Sequence, residues 1–450
     1  MRRFTRWFFV ALLAVLLVAS ARPARAQAVP APPVLSSAPT MATPPASPRR
    51  LGDFLLLARQ SSPLLRATAN QVGQNRIDSL VRARQNGVQV GGIGAAVFYP
   101  SITKMVNGDK VQVLGYDNAI SNGGNFAAFA QATKPLFNRF QLQNDYQIIN
   151  SQGLVLRNSG RLSALDLRRS ITDQYLTAFA AESQLRFSRT LLAELRKQDD
   201  ILRQLVNGGI FKQTQYLSFY LSVRTQEVVV EQNRLAYRRE LGTLRALTAV
   251  SDTTLISLET PTPPTHRPLA GLLAPAQRQY TLDSLRLLLD RRAVDAYYRP
   301  RVNAVFDGGL QSASFLPADL AHSVGIGAGL QLGVPIYDGH QRQLQYQRIE
   351  LSERSRSGYR QFITVQRQQQ YQQLEGLIRA SDALLARIRE QLRVADALVG
   401  AARQQLAIGD VAILDYLNQV TSYRTLQFSL TQAETDQLRS RFALDYLAEQ

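Results

Sequence analysis

The sequence predicts a mainly α-helical fold with a small β part, in which two similar halves follow each other. Three observations lead to this prediction. Identical residues recur at a constant offset of about 200 positions. Long stretches carry the period of about 3.5 residues that is typical of packed helices, and four short stretches have the pattern of strands.

The internal repeat extends without gaps over more than about a hundred positions, which chance would not produce. Matched pairs include Pro135 with Pro335, Tyr146 with Tyr346, Arg203 with Arg403, Gly209 with Gly409, and Tyr216 with Tyr416. The halves are predicted to span 51–249 and 276–450. A proline-rich connector at 250–275 joins them.

The first 26 residues have the layout of a secretory signal peptide. Three arginines precede an apolar run at 7–20, and 24–26 reads Ala-Arg-Ala, a small-x-small cleavage site. The alternative, an uncleaved anchor, is disfavoured because the run is short for a membrane span. Residues 27–50 are rich in Pro, Ala and Ser, so we expect an extended linker there.

Each half is predicted to contain the same elements in the same order. A helical pattern at about 51–86 and 276–298 comes first, and strands follow at about 88–98 and 125–135, and at about 301–311 and 323–335. A helix of about 70 residues then runs over about 138–206 and 338–407, and a last helix over about 212–248 and 412–449. The loops between paired strands are expected at 99–124, which is rich in glycine, and at 312–322.

The clearest strand lies at 324–334, where apolar residues alternate with Gly and Gln and give the strand one apolar face. Its length suffices for a tilted strand to cross a membrane, which takes about 9–11 residues. Aromatic residues cluster at the strand ends and form either an interfacial girdle or plain core. They are Phe98, Tyr99, Phe137, Tyr297, Tyr298 and Tyr337.

Apolar and small residues separated by threes and fours predict a coiled-coil seam on the second long helix. The predicted seam consists of Leu374, Leu377, Ser381, Leu384, Ile388, Leu392, Ala395, Val399, Ala402 and Leu406. Its small members allow close approach of the partner helix.

Two lengths decide the architecture. A helix of about 70 residues is a rod of roughly 100 Å, far longer than a globular domain. Four strands cannot close a barrel, the smallest membrane barrels have about eight strands, and an open sheet edge is not tolerated in lipid. We therefore expect strands from several chains, and three chains would supply twelve.

Composition excludes several classes of function. The chain has no Cys, three His and three Met, which excludes disulfides, thiolate sites and a Cys nucleophile and disfavours a soft-metal site. The formal net charge of +18 is spread along helical stretches without a compact basic block, so nucleic acid is not an expected partner. His266, His322 and His340 are not grouped with triad or metal partners, so no enzyme activity and no cofactor are expected.

Together these features make the chain resemble the TolC family of outer-membrane efflux proteins over nearly all of 51–450. The resemblance rests on the repeat, on Val334-Pro-Ile-Tyr-Asp-Gly339 before the long helix, and on Gly409-Asp-Val-Ala-Ile-Leu-Asp415-Tyr-Leu417. It implies a homotrimer with a shared twelve-stranded barrel in outer-membrane lipid and an α-helical barrel in the periplasm. It also implies a passive exit duct of a tripartite efflux or type I secretion system, whose tips dock onto a periplasmic adaptor protein and an inner-membrane pump. The cargo of such ducts ranges over drugs, metal ions and polypeptides.

The resemblance also implies functional residues at the helix turns, which we call the tip. Its constriction maps onto Asp415 and Asn418 and, in the first half, Gln215 and Ser218. Asp415 alone keeps a carboxylate. It either forms a cation-attracting ring around the threefold axis or simply lies at a helix N-terminus, where negative charge is favourable. The candidates for adaptor docking are Gly208, Gly209, Gly409, Asp410 and Val411.

The chain departs from the family where an Arg–Asp pair is expected to hold the tip closed. The matching residues, Val411 and Gln215, cannot form an ion pair. The closure must therefore be different or weaker. One alternative from another class stays open: a periplasmic coiled-coil structural protein whose strands never meet lipid.

Overall fold

The computed structural model describes residues 49–98, 102–106, 109–114, 125–265, 274–312 and 322–449. The predicted signal peptide at 1–26, nearly all of the predicted linker, Tyr99 and His266 lie outside the described residues.

The elements occur in the same order in both halves of the described chain. The first half contains α1 (Leu51–Ser61), α2 (Pro63–Gln85), β1 (Gln89–Val97), β2 (Ile102–Val106), β3 (Asp109–Leu114), β4 (Asn125–Leu136), α3 (Arg139–Asn207) and α4 (Gln213–Thr248). The second half contains α5 (Pro275–Tyr297), β5 (Arg301–Ser312), β6 (Val324–Gly333), α6 (Gln341–Ala407) and α7 (Ile413–Glu449). The predicted long helices and the four predicted strands are all present.

The first predicted helix, 51–86, is wrong as a single element, because it is broken between α1 and α2. Pro63 cannot donate a backbone hydrogen bond to the preceding turn, and Ser62 has an extended ψ of 117°. The Ser62 hydroxyl instead accepts the Leu65 N–H at 3.4 Å and caps α2. The second half has no described counterpart of α1 before α5.

Four antiparallel strands form one sheet in the order β1-β4-β5-β6. The loop predicted at 99–124 is not wholly a loop, since β2 and β3 pair within it as a separate two-stranded sheet. The sequence gives no clear strand signal there, because β2 has only five residues and one of them is a lysine. The remaining residues of that loop, and 313–321 of the second, lie outside the described residues.

The pairing register separates apolar from polar side chains across this four-stranded sheet. Residues directly opposite in an antiparallel pair lie on the same face, so one face follows from the pairs Val90–Ala132, Ala132–Phe306 and Phe306–Ala328. That face, which we call the apolar face, carries Val90, Gly92, Gly94, Ala96, Phe126, Ala128, Ala130, Ala132, Lys134, Leu136, Val302, Ala304, Phe306, Gly308, Leu310, Ser312, Val324, Ile326, Ala328, Leu330 and Leu332. The opposite face carries most of the polar strand residues, including Gln89, Gln131, Arg301, Asn303, Asp307 and Gln331, together with the apolar residues Ile93, Val97, Phe129 and Val305.

The long helices α3 and α6 contain 69 and 67 residues. At about 1.5 Å per residue each runs for roughly 100 Å. Helix α3 packs along α4, and α6 packs along α7, which makes two helix pairs. None of the helices in the described part of the chain has the length and hydropathy that a membrane span requires.

The predicted seam of α6 is wrong at two positions. Leu377 and Leu384 are each 50% exposed, whereas Ile378 is half-buried and Leu385 is buried. The seam that the structure buries follows a strict alternation of fours and threes, which keeps a period of 3.5 residues in line with the partner helix. It runs through Leu374, Ile378, Ser381, Leu385, Ile388, Leu392, Ala395, Val399, Ala402 and Leu406. The predicted seam placed a spacing of three after Leu374 and after Ser381, where the structure has a spacing of four, so it selected Leu377 and Leu384 in place of Ile378 and Leu385.

The described part of the connector, 250–265, is held against the middle of α3. The buried hydroxyl of Tyr175 lies 2.6 Å from the Glu259 carbonyl oxygen and 2.8 Å from that of Arg49. The carboxylate of Glu182 accepts the Ser257 hydroxyl at 2.7 Å and the Leu258 N–H at 2.9 Å. These bonds satisfy polar groups that packing removes from water.

A close approach between β4 and β5 requires a glycine at position 309. A Cβ atom there would lie 2.4 Å from the carbonyl oxygen of Ala128, whereas a Cβ atom on Gly325, its partner on β6, would meet nothing within 4 Å. We therefore expect Gly309→Ala to force the strands apart and to cost about 1–3 kcal/mol, and Gly325→Ala to be nearly neutral. The thermal unfolding midpoint of the purified protein measures the difference. Equal midpoints for the two variants would contradict the register.

Candidate functional site

Two short turns join the helices of each pair and form the tip. Gly209 follows α3 with a φ of +79°, and Gly409 follows α6 with a φ of +80°. This left-handed region is open to glycine without the steric cost that a side chain brings. The two glycines explain why each long helix stops where it does.

The two turns have equivalent backbone hydrogen bonds. After α3, the N–H of Ile210 donates to the Leu205 carbonyl at 3.0 Å. After α6, the N–H of Asp410 donates to the Gln405 carbonyl at 2.9 Å. Both bonds satisfy carbonyl groups that the helix end leaves without an intrahelical partner.

The turns of the two helix pairs lie in contact with each other. A Cβ atom on Gly409 would lie 2.7 Å from the Cγ2 atom of Ile210, so the glycine makes room for the isoleucine. Phe211, Ile413 and Tyr416 are buried in the same apolar cluster. Burial raises the pKa of the Tyr416 hydroxyl, which therefore stays neutral.

The predicted constriction residues all lie in the first two turns of α4 and α7. Asp415 is exposed and lies in the first turn of α7, and its carboxylate forms no ion pair with the described residues. Asn418 is also exposed. In α4, the Gln215 side chain accepts the Lys212 N–H at 3.0 Å, and the exposed Ser218 hydroxyl donates to the Thr214 carbonyl at 3.1 Å.

The predicted docking residues lie in the turns themselves. Gly208 is the C-cap of α3, and Gly209 follows it. Gly409, Asp410 and Val411 form the equivalent turn after α6, with Asp410 exposed and Val411 half-buried. Their functional roles stay predictions.

An ion pair that the sequence did not predict joins the two helix pairs close to the tip. Arg403 on α6 lies 3.4 Å from the carboxylate of Glu194 on α3, and Lys197 contacts the same carboxylate at 2.9 Å. The hydrogen bond from Lys197 lowers the pKa of Glu194 below its usual value of 4.5, so the carboxylate stays charged at neutral pH.

The matched residue Arg203 is bound differently, although it occupies the equivalent place in the repeat. It pairs with Asp199 on its own helix at 2.8 Å and donates to the Tyr216 hydroxyl at 2.7 Å. The second half has Val399 where the first has Asp199, so Arg403 has no carboxylate one turn away. This replacement of Asp199 by Val399 is the sequence feature that could have indicated a different partner for Arg403.

No group of three or more metal-ligating side chains exists among the described residues. His322 precedes β6, and His340 is the N-cap of α6, where its ring contacts the Tyr337 ring edge-on at 6.1 Å. His340 meets a carboxylate only through its backbone N–H, which donates to Asp338 at 3.0 Å, and neither imidazole ring contacts a carboxylate in the described chain.

Comparison with known proteins shows similarity in structure. No family model matches the chain, and no curated protein matches it. The solved structure of CusC, a protein that undergoes folding and transmembrane channel formation, superposes with a TM-score of 0.68 at 13% identity, covering 89% of this chain and 92% of CusC. The outer membrane protein VceC of Vibrio cholerae superposes with a TM-score of 0.67 at 14% identity, covering 89% and 96%. The MtrE outer membrane channel of Neisseria gonorrhoeae gives 0.66 at 12%, covering 89% of each chain.

The chain has the fold of these outer-membrane channels. The predicted fold class, mainly helical with a small β part and similar to the TolC fold, is confirmed. At these identities the likeness concerns the outer-membrane channel fold alone. What this chain does with that fold is argued below from its own residues.

Proposed function

We propose that this chain is the passive outer-membrane exit duct of a tripartite efflux or type I secretion system. One observation carries the proposal: the four-stranded sheet has an apolar face covered by no other described element, and two open edges. A sheet of this kind is unstable in water and complete only inside lipid and beside further strands.

The exposure of the apolar face supports a lipid-facing wall. Ile326 is 94% exposed, Leu330 73% and Val90 72%, although all three are apolar and lie in strands. A transmembrane barrel strand alternates an apolar outward residue with a polar inward one, which is the separation seen here. Hydrocarbon is the medium in which such a face has no cost.

The open edges support a homotrimer. Strands β1 and β6 end the sheet order, and their unpaired backbone groups need partners in lipid. Three chains would give twelve strands in a closed barrel. The helices offer matching surfaces, because α4 and α6 carry exposed leucines and valines at heptad-like spacing: Leu217, Leu221, Val228, Leu235, Leu377, Leu384 and Leu398. A second copy that buries these residues would complete a helical barrel below the strands.

We further propose that the helical part extends into the periplasm and that the duct itself performs no chemistry. The structurally similar proteins are channels, and energy would come from an inner-membrane pump reached through a periplasmic adaptor. We place the docking surface at Gly208, Gly209, Gly409, Asp410 and Val411. The exposed turns described above support this, and cross-linking of an adaptor from cysteines introduced there would test it.

The alternative, a periplasmic coiled-coil structural protein without a channel, has less support. It explains the helix pairs equally well. It does not explain an apolar sheet face with side chains as exposed as Ile326.

Reconstitution tests the function directly. The protein purified from the outer membrane in detergent is expected to be a trimer and to give stable ion conductance in planar bilayers. The alternative predicts a detergent-free soluble protein that leaves bilayers impermeable. That outcome would refute the proposal.

The Asp415 ring makes a second prediction for the same channels. If three copies of Asp415 surround the axis, the carboxylates attract multivalent cations, and Asp415→Ala is expected to weaken block by a trivalent cation at least about tenfold. Single-channel recordings at several cation concentrations measure this. Asp410→Ala is a matched control at the same tip. Unchanged block in Asp415→Ala would leave only the stabilising role at the helix N-terminus.

We also propose that the Glu194–Arg403 pair helps to hold the tip closed, in place of the ion pair that Val411 and Gln215 cannot form. A half-exposed pair contributes only about 0–1 kcal/mol. We therefore expect Arg403→Ala to raise the open fraction of the channel modestly, by up to about fivefold. The double variant Glu194→Arg with Arg403→Glu should restore closure, whereas Arg387→Ala on the same helix should change nothing. Failure of the charge swap to restore closure would assign the effect to the lost charge instead of the pair.

The pH range in which Glu194 can pair with Arg403 follows from the pKa of Glu194, which is lowered first by the hydrogen bond from Lys197 and also by the charge of Arg403. A carboxylate with a lowered pKa contributes stability above its usual pKa and loses it as pH falls through the lowered value. Closure by this pair should therefore persist at neutral pH and weaken only in acid.

A further inference from the structure

One charged side chain lies on the apolar face of the sheet among the described strand residues. Lys134 pairs across the strands with Ala304, and its neighbours on the same face of β4 are Ala132 and Leu136. It is exposed and lies close to the end of β4 that leads into α3. A lysine at such a place extends its charged end along the apolar surface to the nearest polar layer.

Three arginines are brought to the same junction of strands and helices. Arg139 is the first residue of α3, and Arg84 lies in the last turn of α2. A side-chain hydrogen bond between Asn138 and Asn86 joins these two helix ends.

The third arginine, Arg299, comes from the segment between α5 and β5. Its guanidinium carbon lies 3.6 Å from the centroid of the Phe140 ring in the first turn of α3. This contact brings the end of α5 to the start of α3. The four residues Arg84, Lys134, Arg139 and Arg299 are referred to below as the junction cations.

The junction cations lack carboxylate partners within the described chain. No carboxylate oxygen of a described residue lies within ion-pair distance of any of the four, and all four are exposed. Two acidic groups of this region already have partners. Asp295 pairs with Arg342 at 3.1 Å, and Asp338 accepts the backbone N–H groups of His340 at 3.0 Å and Arg342 at 2.8 Å. The junction therefore carries an excess of positive charge.

Exposed apolar side chains lie beside this charge. Phe137 is 88% exposed, Ile336 96% and Tyr337 80%, and all three are in the segments that join strands to helices. Apolar and aromatic groups next to cations match the boundary between hydrocarbon and headgroups. A soluble protein partner would not account for a lysine that stands on a lipid-facing surface.

We propose that the junction cations bind the phosphate groups of anionic phospholipids in the periplasmic leaflet of the outer membrane. One guanidinium group can donate two parallel hydrogen bonds to the oxygens of one phosphate, whereas an ammonium group binds phosphate as a point charge. The inference rests on the proposed function, because it requires the apolar face to lie in the membrane. It adds a lipid class and the residues that select it.

The test measures which lipid the reconstituted trimer prefers. The full chain is placed in vesicles of phosphatidylcholine with phosphatidylglycerol, and the relative association of spin-labelled forms of the two lipids is determined. We expect the native protein to favour phosphatidylglycerol several-fold. The variant with Arg84→Gln, Lys134→Gln, Arg139→Gln and Arg299→Gln should lose the preference, with at most about a fivefold contribution from each cation. A control variant that removes three cations from the long helices, with Arg189→Gln, Arg379→Gln and Arg387→Gln, should keep it.

Three outcomes would overturn the inference. They are no preference in the native protein, equal preference in both variants, and equal loss in both variants. Displacement of the labelled lipid by soluble glycerol phosphate would also contradict it, because the site would then be a phosphate site and not a membrane surface. Conductance measured on the same vesicles keeps the two proposals apart: conducting channels without lipid preference refute only this inference, whereas absence of insertion refutes the proposed function.

Discussion

The hydrogen-bonding groups at the outer edges of β1 and β6 are the constraint on which the rest of this molecule depends. Within the sheet, every neighbouring pair of strands is antiparallel and in continuous register, but the two outer strands each leave one side unpaired. In water such edges could be solvated. The apolar face of the same sheet makes water the wrong medium, and lipid supplies no hydrogen bonds. In the proposed trimer, the equivalent edges of identical chains complete the sheet.

The two halves of the repeat share the same backbone turn at the tip, and they differ in the ion pairs that their matched arginines form. Both tips use a glycine at positive φ and the same backbone hydrogen bonds, so the turn is a property of the frame. Asp199 in one half and Val399 in the other give the two matched arginines different partners. As a result one arginine stabilises its own helix pair, and the other reaches across to Glu194. A tie between the two helix pairs therefore arises from the loss of one carboxylate.

The sequence predicted the long helices and β6 from their clear periods, whereas the other three strands of the four-stranded sheet alternate poorly and were placed by their equivalent positions in the two halves. It failed where local pattern competes with packing. Leu377 and Leu384 are as apolar as Ile378 and Leu385, and only the partner helix decides which pair is buried. The break at Ser62 depended on one proline, and the β2–β3 hairpin was too short to recognise. The Glu194–Arg403 pair joins residues 209 positions apart from different halves, so no local pattern contains it.

The sheet has two unpaired edges and the helix pairs have an uncovered apolar surface, and association of identical chains would satisfy both. The sheet lacks strands at two edges. The helix pairs lack a cover for a row of leucines and valines on α4 and α6, among them Leu221 at 66% exposure and Leu235 at 63%. These two needs concern different elements and different forces, hydrogen bonding in one case and apolar burial in the other. In the proposed trimer, rotation of identical chains about one axis would place a β1 edge beside a β6 edge and, in the same step, one apolar helix surface against another. A soluble partner protein could cover the leucines, but it would leave the sheet open. This is why the two observations together favour self-association over any single docking partner.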